Sequence, residues 1–249
     1  DLYAAGQCYE ADTTNFLLRA CKPGDFVIDV GANVGLFTIM MSKMVGSEGK
    51  VLAIEPDADN LVQLHRNIDL NNLSNVEVLS CPLWSVAEEV TFYKSFDNGG
   101  GHSLWDPGLY IGNNKTRAHA SEMMKLMAST LGAEIAKIGW HCSLVKIDAE
   151  GADQKIMEGL GYARPDYVVA ESNPFGAQQF GCDNISFRVL AQKLGYDCFL
   201  TNNYDTLPAM VPDNTIILNG FNGFCVQNLL FSTLHAIGRA YPEMPDMGI

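Results

Sequence analysis

A strand that stops in glycine constrains this chain more than any other feature it carries. The stretch VIDVGANVG, residues 27–35, is apolar and β-branched, holds one acid at Asp29, and breaks at Gly31, Asn33 and Gly35. Glycine permits left-handed backbone and the close approach of a neighbour, so the break reads as a tight turn beside a ligand. LFTIMMSKMV (36–45) follows, with apolar residues at 36, 37, 40, 41 and 44, a helical period. A strand passing through a glycine turn into a helix is the opening unit of an α/β fold. It points the free N–H groups of the helix at whatever occupies the turn.

The alternation continues along the chain. KVLAIEP (50–56) reads as a second strand and DADNLVQLHRNIDLNN (57–72) as a helix capped by Asp57 or Asp59. VEVLSCPLW (76–84) reads as a third strand and EVTFYKS (89–95) as an extra one. Residues 96–114, rich in glycine, read as a long loop, and residues 117–139 as one or two helices. SLVKIDAEG (143–151), ADQKIMEGL (152–160), PDYVVAES (165–172) and SFRVLAQKLGY (186–196) give strand, helix, strand and helix. DCFLT, NTIILNG and GFCVQNLLF close the chain as strand-like pieces.

This order predicts an α/β, Rossmann-like fold, with a mostly parallel central sheet and helices on both faces. A single domain over 1–249 is expected, with 96–141 inserted as a substrate lid. Such sheets bind ligands beyond the carboxyl ends of their strands, where strand order reverses. Asp29–Gly35, Glu55, Cys81–Ser85, Asp148–Gly151 and Glu171–Asn173 all fall at such ends.

Charge narrows the partners. Sixteen Lys and Arg against 29 Asp and Glu leave a net charge of −13, which disfavours a nucleic-acid backbone or an anionic membrane. The expected partner is a small-molecule or glycan acceptor. The seven cysteines are scattered without a CxxC pair, which fits buried free thiols in a reducing, cytoplasmic setting. No apolar run reaches the length of a membrane span.

The turn and the next strand together suggest a nucleoside site. Glu55 closes the second strand 20 residues after Gly35, where an acid accepts hydrogen bonds from both hydroxyls of a ribose. Pro56 follows it. The glycine pattern is GxNxG, without the third glycine of the dinucleotide fingerprint. Asp29 would repel a pyrophosphate and favour a sulfonium and ammonium, so the charge logic selects S-adenosylmethionine over a nicotinamide dinucleotide. At the end of the third strand, Cys81, Pro82, Leu83 and Trp84 would flank the adenine.

FVIDVGANVGLFT, KVLAIEPDADNLVQLHRNIDLNNL and LVKIDAEGADQKIMEGL together resemble FkbM-type methyltransferases, over residues 9–172. The resemblance implies a class I, S-adenosylmethionine-dependent enzyme that methylates hydroxyl oxygens of sugars or natural products. It also implies that Tyr9–Glu10 places Glu10 near the amino-acid end of the cofactor. KIDAEGAD resembles the family's KxDxEGxE pattern, with Asp153 in place of the last Glu, and PLWS (82–85) departs from the family's small-Leu-Ser-Asp ending.

Methyl transfer to oxygen needs an acceptor held in line and a base for its proton. Period two puts Lys146, Asp148 and Glu150 on one side of a strand, with Asp148 or Glu150 as base and Lys146 holding the pair ionised or orienting the acceptor. Glu171, a further catalytic candidate, and Asn173 end the neighbouring strand. With Asp148 they form an oxygen-donor set of the kind that holds Mg²⁺ or Ca²⁺, but Ser172 interrupts the pattern and no metal is expected. His102, in the glycine-rich loop, is a second candidate base on a closing lid. Met123, Met124 and Met127 read as core or pocket wall on the 117–139 helix. Two rivals remain: a nicotinamide-dependent oxidoreductase, which would bind NAD and not S-adenosylhomocysteine, and a methyltransferase-like fold kept as a non-catalytic binding module.

Overall fold

The computed structural model describes residues 9–96, 99–109, 121–200, 209–211 and 227–242. In chain order the elements begin with α1 (Ala11–Ala20), β1 (Phe26–Val30), α2 (Leu36–Val45), β2 (Lys50–Ile54), α3 (Ala58–Leu70) and β3 (Val76–Leu79). A hairpin of β4 (Glu89–Ser95) and β5 (Ser121–Met127) comes next, then α4 (Leu131–Ile138), β6 (Cys142–Ile147), α5 (Asp153–Glu158) and β7 (Tyr167–Ser172). The chain continues through α6 (Pro174–Gln179), α7 (Asn184–Lys193), β8 (Asp197–Leu200), β9 (Ala209–Met210), β10 (Gln227–Ser232) and α8 (Leu234–Ala240).

The main sheet has the order β3-β2-β1-β6-β7-β10-β8-β9. Its first five strands are parallel, and β10 runs antiparallel to both β7 and β8. The chain builds outward from β1 to β3, then returns to lay β6 on the other side of β1. Strand order therefore reverses between β1 and β6, and that crevice is where ligands of open α/β sheets bind.

Both faces of the sheet are covered because the central strands are apolar on both sides. β1 is buried along its whole length. Phe26, Ile28 and Val30 join one core with Leu131 of α4, Ile156 of α5 and Phe187 of α7. Val27 joins the opposite core with Phe16 of α1, Met41 of α2 and Ile237 of α8. Each fully buried Leu, Ile or Phe contributes about 1.5–3 kcal/mol of transfer free energy, so the two cores hold the sheet between its helices. This is the Rossmann-like α/β architecture, a mostly parallel sheet with helices on both faces, that the sequence predicted. Among the described residues no helix is long and apolar enough to cross a membrane, and Cys21, Cys81, Cys142, Cys182 and Cys198 are free thiols.

Three local expectations need correction. The stretch 117–139 is not helical throughout: Ser121–Met127 is a strand, and the helix is confined to Leu131–Ile138. SEMMKLM has apolar residues at adjacent as well as alternate positions, so its period is ambiguous. Antiparallel pairing with EVTFYKS, from Glu89↔Met127 to Ser95↔Ser121, decides it. Met123 and Met127 are consequently exposed rather than core. The third strand stops at Leu79, and Pro82–Trp84 leaves it to bond with Ser129. The fourth predicted strand ends at Ile147, so Asp148–Gly151 is a turn. NTIILNG lies outside the described residues, as do 110–120 of the expected insertion.

The hairpin rests on the start of α3. Asp57 caps that helix, its Oδ1 accepting from Asp59 N–H and Asn60 N–H, both at 3.0 Å. Its Oδ2 pairs with Lys94 Nζ of β4 at 3.1 Å. Asp57→Ala is therefore expected to cost about 1–3 kcal/mol, combining a lost cap with a broken, largely buried ion pair. Urea denaturation measures it, and an unchanged midpoint would show that the hairpin does not lean on this carboxylate.

Candidate active site

A cavity of about 320 Å³ opens beyond the carboxyl ends of β1, β2 and β6, at the order reversal. One end is built around Glu55. This carboxylate is buried, its Oε2 accepting from Asn33 N–H at 2.7 Å and its Oε1 from Asp57 N–H at 2.8 Å. Burial pushes its pKa up to about 6, against the pull of those two N–H bonds. Asn33 reaches Glu55 because its backbone is left-handed, at φ 51°. Cys81, Pro82 and Leu83 complete this end from the segment after β3.

The turn itself is committed to the protein. Gly31 N–H and Ala32 N–H both donate to Ile54 O at 3.0 Å, Gly35 N–H donates to Ala32 O at 2.8 Å, and Asn33 N–H is held by Glu55. The glycines serve packing as much as ligand approach. A Cβ on Gly31 would lie 1.9 Å from the carbonyl oxygen of Asp148, and one on Gly35 would lie 2.5 Å from Leu64 Cδ1. The β1–β6 crevice closes this tightly only because residue 31 has no side chain.

The other end of the cavity carries charge from β6. Asp29 and Lys146 are register partners across β1 and β6, and period two turns both toward α2. Asp29 is fully buried, its Oδ2 accepting from Thr38 Oγ1 at 2.6 Å while Oδ1 lies 3.7 Å from Lys146 Nζ. Lys146 Nζ also donates to Asp148 Oδ2 at 3.1 Å and sits 4.9 Å above the ring of Phe37. Burial opposes its charge, but Asp148, Asp29 and Glu10 hold the ammonium protonated well above its ordinary value.

Four more carboxyl groups gather around Asp148. Glu150 lies in the turn with φ 51°, borders the cavity, and accepts from Asn173 Nδ2 at 3.3 Å. Burial, then Asp148 and Asp153, push it up to about 7. Asp153 is buried at the start of α5, accepting from Gly151 N–H and Glu171 N–H, both at 3.1 Å. Glu171 Oε2 is buried with no hydrogen-bond partner among the described residues. Its burial and the surrounding Asp148, Asp153, Glu150 and Glu10 raise its pKa well above the carboxylate range. Glu10 precedes α1 and is raised by burial and then by Asp148.

His102 is neither solvated nor at the Lys146 end. Its ring is buried, edge-on to Phe92, and Nδ1 accepts from Ser95 N–H at 3.0 Å. Nε2 lies 3.7 Å from Asp57 Oδ1, which places His102 beside the residue whose N–H steadies Glu55.

Of the predicted residues, Gly31, Asn33, Glu55, Pro56, Cys81 and Leu83 border the cavity. So do Lys146, Asp148, Glu150 and His102. Asp29, Gly35, Glu10 and Glu171 stand behind that wall rather than in it. Trp84 packs instead against Phe180, with ring centroids 5.1 Å apart. The oxygen-donor trio is not assembled: Asn173 Oδ1 caps α6 by accepting from Gly176 N–H, and its amide nitrogen faces Glu150. Among the described residues no three His, Cys, Asp or Glu side chains are grouped so as to hold a metal ion. Sequence reasoning missed Phe37, Asn60, Phe92 and Leu104, all of which border the cavity. Asn60 alone carried a signal, one turn into a helix capped by Asp57.

Comparison with known proteins bears on this geometry. A protein named Methyltransferase 1, from Beauveria bassiana (strain ARSEF 2860), is 27% identical over 149 residues, which is 54% of this chain and 58% of that one. Methyltransferase sdnD of Sordaria araneosa is 43% identical over 63 residues, 25% of this chain and 24% of that one. The chain thus spans well under two thirds of either relative. A solved structure described as an rRNA methylase from Clostridium thermocellum shares the fold at a TM-score of 0.50 and 10% identity, covering 89% of this chain and 95% of that one. The family model for the methyltransferase FkbM domain matches residues 29–198, which take in the glycine turn, Glu55 and the whole KIDAEG turn. The chain belongs to the FkbM family of methyltransferase domains.

Proposed function

We propose that this chain transfers a methyl group from S-adenosylmethionine to a hydroxyl oxygen of a small molecule or glycan. The observation that carries the reading is the two-ended cavity, with Glu55 steadied by backbone N–H groups at one end and Lys146, Asp148 and Glu150 at the other. The donor set suits the cofactor. A carboxylate has about four lone-pair sites, so Glu55 keeps acceptor capacity for a ribose diol after bonding Asn33 and Asp57. Within the turn, the N–H groups of Gly31, Ala32, Asn33 and Gly35 are already bonded inside the protein and are not free for a diphosphate. Asp29, expected to face the ligand and repel a pyrophosphate, is instead bonded to Thr38 beside the Lys146 ammonium that borders the cavity, so its charge does not decide between the two cofactors.

S-adenosylmethionine, when bound, supplies an electrophilic methyl group on a sulfonium. Glu55, Pro56 and Asn33 would hold its ribose, Cys81, Pro82 and Leu83 would wall its base, and Glu10 would lie toward its amino-acid end. Glu150 is the base. Its proton affinity is matched to neutral pH, whereas Asp148 is occupied by the hydrogen bond from the Lys146 ammonium. Methylating a hydroxyl releases one proton as the positive charge on sulfur disappears. A carboxyl group poised near 7 takes that proton without leaving an unpaired charge. The crowd of acids and the net charge of −13 support an acceptor other than nucleic acid.

Incubation with methyl-labelled S-adenosylmethionine and a panel of sugars and hydroxylated small molecules tests the reaction. Calorimetry tests the site: S-adenosylhomocysteine should bind and NAD should not, and the reverse result would sink the proposal. Glu55→Gln should weaken S-adenosylhomocysteine by about 10- to 100-fold, because a hydrogen bond to a charged group contributes about 1.5–3 kcal/mol. Wild-type affinity should also decline as the pH falls below about 6, where Glu55 takes up its proton. An affinity that stays flat through that range would remove Glu55 from the ribose.

A further inference from the structure

We propose that His102 is a nucleoside-positioning residue, donating from Nε2 to the cofactor, and that residues 99–104 therefore build part of the cofactor wall. The inference rests on the S-adenosylmethionine reading and extends it to residues 99–104.

Lys94 and Gly99 fasten this segment to the nucleoside end. Lys94 Nζ bridges Asp57 Oδ2 at 3.1 Å and Asp59 Oδ2 at 2.5 Å. Asn60 Nδ2 donates to Gly99 O at 3.1 Å. Tyr93 and Ser103 exchange backbone hydrogen bonds of 2.8 and 3.1 Å, which folds residues 99–104 back along β4. Phe92, Gly99, Gly100, His102, Ser103 and Leu104 consequently border the same cavity as Glu55.

Within that wall His102 has one nitrogen used and one free. The Ser95 N–H donates to Nδ1, so Nδ1 bears no hydrogen and the neutral ring carries its proton on Nε2. Nε2 is a donor with no partner at hydrogen-bond distance among the described residues, since Asp57 Oδ1 at 3.7 Å is too far. The ring is 8% exposed. Bordering the cavity and without a protein acceptor at hydrogen-bond distance, Nε2–H is available to an acceptor on a bound ligand. A nucleoside lying along Glu55 offers ring nitrogens and ribose oxygens as acceptors.

Two substitutions separate positioning from scaffolding. Asparagine can keep an acceptor near the position of Nδ1 but cannot reach that of Nε2, whereas glutamine can place an N–H near Nε2 but not an acceptor at Nδ1. Calorimetry with S-adenosylhomocysteine, and with adenosine alone, should show His102→Asn weakened about tenfold for both ligands and His102→Gln within about threefold of wild type. Three results would overturn the proposal. His102→Gln losing as much affinity as His102→Asn, or more, would mean that the ring only anchors Ser95. Wild-type affinity in both variants would mean that no contact is made. Lost turnover at unchanged affinity in both would make His102 the base. If wild-type protein binds no S-adenosylhomocysteine at all, it is the methyltransferase reading that has failed, and the titration reports this before any variant is compared.

Discussion

Glu150→Gln should lower turnover by about 10²–10⁴-fold and leave S-adenosylhomocysteine affinity within a few-fold of wild type, the magnitude expected for losing a general base. Glutamine keeps the shape and the bond with Asn173 but cannot take a proton. The assignment also predicts the pH profile. Burial, then Asp148 and Asp153, raise Glu150 to about 7, so its ionised, basic form declines as pH falls through that value. The rate should therefore drop about tenfold per pH unit on the acid side of 7, and this limb should vanish in the variant. Steady-state kinetics across pH 5–9 checks both. A variant with wild-type turnover, or a limb unmoved by the substitution, would return the role to Asp148.

Gly31→Ala should be the most destabilising single methyl group in the fold. The added Cβ would fall 1.9 Å from Asp148 O, and the residue sits at φ +71°, a conformation that L side chains avoid. Overpacking costs about 1–3 kcal/mol. The left-handed backbone adds about 1–2 kcal/mol. The sum approaches the lower end of the whole stability of an ordinary domain. Gly24→Ala is the matched control: φ is +88° with nothing within 4 Å of the added carbon, so only the backbone cost should appear. Urea denaturation of the two variants separates the terms. Equal midpoints would mean that the crevice between β1 and β6 relaxes more readily than its packing implies. Because the clash pushes on Asp148, Gly31→Ala should also weaken cofactor binding in whatever protein remains folded.

The alternation of strand and helix was legible in the sequence because each element advertises its own period. FVIDV, KVLAI and YVVAES are mostly apolar, β-branched runs, and these became β1, β2 and β7, largely buried on both faces. The cap at Asp57 was legible too, since capping is chemistry among residues three apart. From those elements the strand ends follow, and with them Asn33, Glu55, Lys146 and Asp148 as neighbours of one crevice. SEMMKLM failed as a helix because its partner lies more than 25 residues back along the chain, at EVTFYKS.

What the sequence by itself determined was the fold class and the residues gathered at the head of the sheet, because local periodicity and chain order settle both. Only the tertiary structure decided how those residues divide their work. It showed Asp29 turned away toward Thr38 and Lys146, Glu171 enclosed by other acids, and His102 carried by a hairpin to the Glu55 end. The reason is physical: hydrogen-bond partners and proton affinities depend on groups brought close by pairing across many residues, and no local pattern in a chain records that proximity.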